Sequence, residues 1–64
     1  MGYIVKLLES GNYLVGDGGE IITTPFREEA LSDGQFDGYE EAKETAESWS
    51  GEMVLGVDYI IESV

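Results

Sequence analysis

Cysteine and histidine are both missing from this chain, and basic residues are scarce. Without cysteine there is no disulfide and no thiolate metal site. Without histidine the usual carrier of protons near neutral pH is gone, and the loss of cysteine also removes the strongest common nucleophile. Only Lys6, Arg27 and Lys43 are basic, and Pro25 is the single proline. No apolar run approaches the ~18 residues of a membrane span. Met1 to Lys6 has neither the basic region nor the apolar stretch of a secretory signal. Lys6 also stands where a myristoylation motif built on Gly2 requires Ser or Thr. The expected setting is therefore cytoplasmic, with no membrane partner.

What is present is acid and apolar bulk. Fourteen Asp and Glu residues give a net charge of −11, and 42% of the 64 residues are hydrophobic. Apolar content at that level supports a packed core and excludes a disordered acidic tail. The length allows one domain, residues 1–64, of modest stability. A charge of −11 is repelled by nucleic-acid phosphates and anionic membranes, so a macromolecular partner should be basic. It also exceeds the roughly 2–8 charges that solubility alone asks of a small domain.

Along the chain, Tyr3–Leu8 and Tyr13–Val15 are apolar and partly β-branched, and Ser10-Gly11-Asn12 between them is turn chemistry. Residues 3–15 thus read as a β-hairpin. Gly16 to Gly19 reads as a loop, and Glu20–Thr23 as a third strand. Thr24 as N-cap and Pro25 at the first helical position predict a short helix to about Leu31, with Phe26 and Ala30 on one face. Ser32 to Gln35 ends it. Tyr39, Ala42, Ala46 and Trp49 recur at spacings of three, four and three, which predicts the main helix, residues 39–50. Asp37 and Glu40 stand as a capping box before it, and Gly51 supplies the stop. Residues 53–55 and 57–61 read as strand, with a bulge or tight turn at Gly56.

The fold class expected is α+β: an antiparallel sheet of three or four strands with the main helix packed on it. The expected core is Ile4 or Val5, Leu7, Leu14, Ile22, Phe26, Phe36, Ala42, Ala46, Trp49, Val54 and Ile60.

Tyr3-Ile4-Val5, Gly11-Asn12-Tyr13-Leu14, Glu28-Glu29-Ala30, Glu40-Glu41-Ala42 with Ala46, and Gly51-Glu52-Met53-Val54 follow one another along the chain, each a common piece of helix or strand grammar. Across about residues 3–55 that order resembles a diffuse group of small, mostly uncharacterised acidic proteins encoded by bacteriophages and prophages. The resemblance implies a fold and a setting, the cytoplasm of a bacterial host. It implies no reaction, and the tail after Gly56 runs beyond the shared pattern.

Three functional readings compete with catalysis and with one another. Catalysis by a carboxylate pair needs a cleft that a domain this small rarely encloses, and Gly16, Gly18 and Gly19 lack the Lys of a phosphate loop. The chain therefore reads as a non-enzymatic binding protein without cofactor.

The leading surface is a carboxylate-rich face built from Glu28, Glu29, Asp33, Asp37, Glu40, Glu41, Glu44 and Glu47, with Tyr39 and Tyr59 as the aromatics expected to anchor it. Glu40 to Glu44 rises about 6 Å along a helix, comparable with phosphate spacing along a strand. Such a face can occupy the basic groove of a host nucleic-acid-binding protein, such as a defence nuclease, a repair enzyme or a transcription factor, without binding nucleic acid itself. Replacing Glu40, Glu41, Glu44 and Glu47 by Gln should weaken binding and relieve helical repulsion of a few tenths of a kcal/mol. The plain alternative for these residues is a solvated helix face.

The second reading is self-association, a homodimer through the apolar C-terminal strand Val57–Ile61, with acidity serving solubility. The third is calcium. Asp33, Gln35, Asp37, Gly38, Glu41 and Glu44 fall at the ligand and glycine positions of an EF-hand-like loop, residues 33–44. Gln35 and Glu40 depart from that pattern, the incoming helix is short, and helix capping explains the same residues, so no metal ligand is assigned.

Overall fold

The computed structural model describes residues 2–64, apart from the side chain of Asp17. Strand β1, Tyr3–Leu7, runs into a turn closed by Gly11, whose φ of 77° suits glycine and whose N–H donates to the Leu7 carbonyl at 2.8 Å. Strand β2, Tyr13–Asp17, follows, and then strand β3, Glu20–Thr24. Half of the segment expected as a loop, Gly16 and Asp17, is therefore strand. Only Gly18 and Gly19 turn, with φ of 60° and 91°, the two positive values that the tightest hairpin connection requires. Gly16 lies inside the ladder, opposite Ile21.

Helix α1 spans Arg27–Asp33, two residues later than Pro25 suggested. Thr24 is committed to the ladder opposite Tyr13, so it cannot serve as the N-cap. Its hydroxyl instead accepts the Phe26 N–H at 3.2 Å and donates to Glu29 at 2.6 Å. Phe26 takes the N-cap position with extended backbone. Helical spacing therefore does not govern its side chain, which is 62% exposed while Ala30 is buried.

Helix α2 covers Tyr39–Ser50, as the spacing predicts, and ends at Gly51, where φ is 83° and the N–H donates to the Glu47 carbonyl at 2.7 Å. The capping box does not form. The N-cap is Gly38, with no side-chain cap, and Asp37 stands one residue too early. The last strand, β4, is Tyr59–Ser63. Residues 53–55 form no strand. The Asp58 carboxylate captures the Val54 N–H at 2.9 Å, the Asp58 N–H bonds the Val54 carbonyl, and the segment becomes a tight turn through Gly56. Leu55 alone makes a bridge, to Tyr59.

The four strands form one antiparallel sheet in the order β3-β2-β1-β4. This is the α+β fold expected, with one addition: each helix takes its own face. Ala30 of α1 packs with Ile4, Tyr13 and Val15, with Leu31 alongside. Ala42 and Ala46 of α2 pack with Val5, Leu7, Leu14 and Tyr59. Side chains alternate across a strand, so a helix on each face buries both Ile4 and Val5, where one covered face would have required a choice.

The chain passes between faces at residues 34–36. Gly34 approaches the sheet so closely that a Cβ there would collide with the Leu14 carbonyl oxygen. Phe36 exchanges both backbone hydrogen bonds with Tyr3, at 2.8 and 2.9 Å, taking the place that β2 leaves free.

Several expected core residues lie elsewhere. Ile22, Phe26, Trp49 and Val54 are exposed, and Ile60 is half-buried. Ile22 sits on an edge strand, Val54 on the Asp58 turn, and Trp49 at the end of a helix whose buried seam is alanine. Phe36 is half-buried against the α2 side of the core, Tyr13, Val15 and Ala30 are buried in addition to those expected, and Tyr59, expected as an exposed anchor, is buried beneath α2.

Candidate protein-interaction surface

The sheet divides the acidic residues into two sets. Glu28, Glu29 and Asp33 belong to α1 on one face, and Glu40, Glu41, Glu44 and Glu47 to α2 on the other. Asp37, exposed, lies in the connection between them. A single carboxylate face running from Glu28 to Glu47 is not formed. Glu29 is also occupied by Thr24.

On α2 the buried seam of Ala42 and Ala46 turns Glu40, Glu41 and Glu44 outward, and all three are exposed. Glu47 differs. It leans toward β4 and accepts a hydrogen bond from the Tyr59 hydroxyl at 2.9 Å. Tyr59 is fully buried, and its hydroxyl pKa is pushed up to about 12, chiefly by burial and further by the neighbouring Glu47 carboxylate. Glu47 is thus a partner of the core as well as a surface charge. The ion pair seen among the described residues, Arg27 to Glu62 at 3.6 Å, ties α1 to β4 and leaves the α2 carboxylates unpaired.

Aromatics flank this row. Tyr39 is 42% exposed and stands edge-on to Tyr3, ring centres 6.0 Å apart. Trp49, expected in the core, is equally exposed. Because α2 packs over β1 and β4, it leaves the β3 side of its face uncovered. There Trp49, Glu44, Thr45, Ser48 and Ile21 line an open notch of about 400 Å³. The cross-strand neighbour of Ile21 is Gly16, which brings no side chain to fill the space. Sequence reading missed this notch. Its only signal was the position of Trp49 in the last turn, where the alanine seam had run out.

The residues of the calcium spacing are dispersed over different elements. Asp33 ends α1, the Gln35 side chain donates to the Leu31 carbonyl at 2.7 Å, and Glu41 and Glu44 lie within α2. Among the described residues no three Asp or Glu side chains gather as a metal site. Among the described residues no helix is long and apolar enough to cross a membrane. No protein-family model, curated protein or solved structure matches the chain.

Proposed function

We propose that this chain is a non-enzymatic binding protein of phage or prophage type. In this reading its α2 carboxylates occupy the basic groove of a host nucleic-acid-binding protein in the bacterial cytoplasm, in place of phosphates. The supporting observation is the row Glu40, Glu41 and Glu44. These side chains are exposed on a helix held by Ala42 and Ala46, and among the described residues no base is paired with them. Acids kept at spacings that cost helix stability, beside two half-exposed aromatics, suit a surface made for contact.

A pull-down from bacterial lysate tests it, with the parent protein and the Glu40→Gln, Glu41→Gln, Glu44→Gln triple variant as baits. The expected partner is basic, is released at high salt as screening shortens to about 3 Å at 1 M, and is not retained by the triple variant. Equal retention by both baits would sink the proposal.

Strand β4 supports a second reading, self-association. It lies at the sheet edge, and its hydrogen bonds to β1 use Ile60 and Glu62, leaving the backbone of Ile61 and Ser63 directed outward. Val57, expected in this strand, instead projects from the preceding turn. A monomer by sedimentation throughout the micromolar range removes this reading.

A further inference from the structure

We infer that the notch between α2 and β3 is a receptor for one arginine side chain of a basic protein partner. The inference rests on the functional reading above and names a subsite within it. At about 400 Å³ and open to solvent, the notch is large enough to admit one long side chain. Its lining is mixed: Ile21 and Trp49 are apolar, Thr45 and Ser48 carry hydroxyls, and Glu44 carries a carboxylate. That combination suits an arginine side chain. The methylene stem covers Ile21, the planar guanidinium stacks on the indole, and its N–H groups reach Glu44 and the hydroxyls.

Other occupants fit less well. A phosphate or carboxylate would meet Glu44 with like charge, within a chain of net charge −11. A purely apolar side chain would leave Glu44 and the hydroxyls without gain. Lysine would keep the charge attraction but lose the planar stacking and the forked donors. The notch also gives a reason for a large aromatic at the exposed end of an alanine-seamed helix.

Trp49 is the sole tryptophan, so its fluorescence reports occupancy directly. The probe is a short synthetic peptide of alternating arginine and glycine, with a counterpart in which uncharged citrulline replaces arginine. At low salt the arginine peptide should quench or shift Trp49 emission saturably, and the citrulline peptide should not. Binding measured by calorimetry should fall about tenfold in Trp49→Ala, which alters no charge. Glu44→Gln should lose several-fold more affinity than Glu40→Gln, which removes an equal charge outside the notch. If the peptide binds but Trp49→Ala binds equally well and the emission is unchanged, the arginine subsite is wrong while the acidic-face reading stands. If Glu40→Gln and Glu44→Gln weaken binding equally, the notch likewise has no special role. If the arginine peptide does not bind at all, the subsite falls, and the lysate experiment decides the broader reading separately.

Discussion

The two helices lie on opposite faces of one sheet, yet they are held in different ways. Helix α1 has only seven residues and little capacity to persist alone. It is strapped at both ends, by Thr24 to Glu29 and Arg27 to Glu62 at the start and by the close approach of Gly34 to Leu14 at the finish. Helix α2 has twelve residues, sits on an alanine seam and makes one polar tie to the core, Glu47 to Tyr59. The first helix is fixed by particular contacts along its length. The second needs few, and so leaves most of its circumference free for a partner.

The contrast breaks most severely at Gly34. A methyl group there meets the main chain of Leu14 and Ala30, which cannot move aside as a side chain would. Gly34→Ala is expected to cost about 3 kcal/mol or more, a large share of the roughly 3–10 kcal/mol available to a domain of this size. Urea unfolding measures it, and a midpoint within error of the parent would refute the close approach.

Tyr59→Phe tests the one polar tie on the α2 side and should cost about 1.5 kcal/mol, as for a hydrogen bond to a charged acceptor. It also predicts a pH signature. The folded pKa of Tyr59 lies above its ordinary value of 10, so the unfolded chain loses that proton first. The associated stability is intact below pH 10 and is lost between pH 10 and about 12, at up to roughly 1.4 kcal/mol per pH unit. The phenylalanine variant should lack that component of the alkaline decline. An unchanged decline would show that the buried hydroxyl is not its source.

The smallest effect belongs to the free carboxylates. The triple variant of Glu40, Glu41 and Glu44 to Gln should gain at most a few tenths of a kcal/mol, because relieved repulsion is partly offset by the loss of two acids from the first turn. Adding Glu47→Gln should cancel that gain, because Gln offers Tyr59 a neutral acceptor in place of a charged one. The quadruple variant, expected from helical spacing alone to fold at least as stably as the parent, is therefore expected to gain nothing over it. Thermal unfolding of the triple and quadruple variants side by side separates them.

Local pattern was legible where one period governed. The 3-4-3 spacing of Tyr39, Ala42, Ala46 and Trp49 located α2, and Gly51 its end. Strands were legible as β-branched runs, but which neighbour each would take was not. Met53-Val54-Leu55 has strand composition, yet the Asp58 carboxylate, four residues on, draws Val54 into a turn. Phe26 has helical spacing to Ala30, yet it stands outside the helix. The acids of the candidate surface were identified as exposed, and most are. Their division between two faces depends on residues 34–36 passing from one side of the sheet to the other, a tertiary fact with no local pattern. The same holds for the notch, which exists because α2 covers one half of its face and spares the other.

The pairing of β1 with β4 has a consequence for the order in which the sheet forms. The β2–β3 hairpin closes across two glycines, so it can assemble locally and fast. The central strand β1 receives its other full neighbour only from the far part of the chain, since about fifty residues separate Leu7 from its partner Tyr59. Such a closure gives up chain entropy before it gains contacts, at a cost that grows with the logarithm of the loop length, and slows folding. The fourth strand is thus the natural late arrival. Until it docks, the α2 side of the core lacks Tyr59, and Glu47 lacks its hydroxyl partner. The acidic helix gains its hydrogen bond to the sheet only when the last strand is in place.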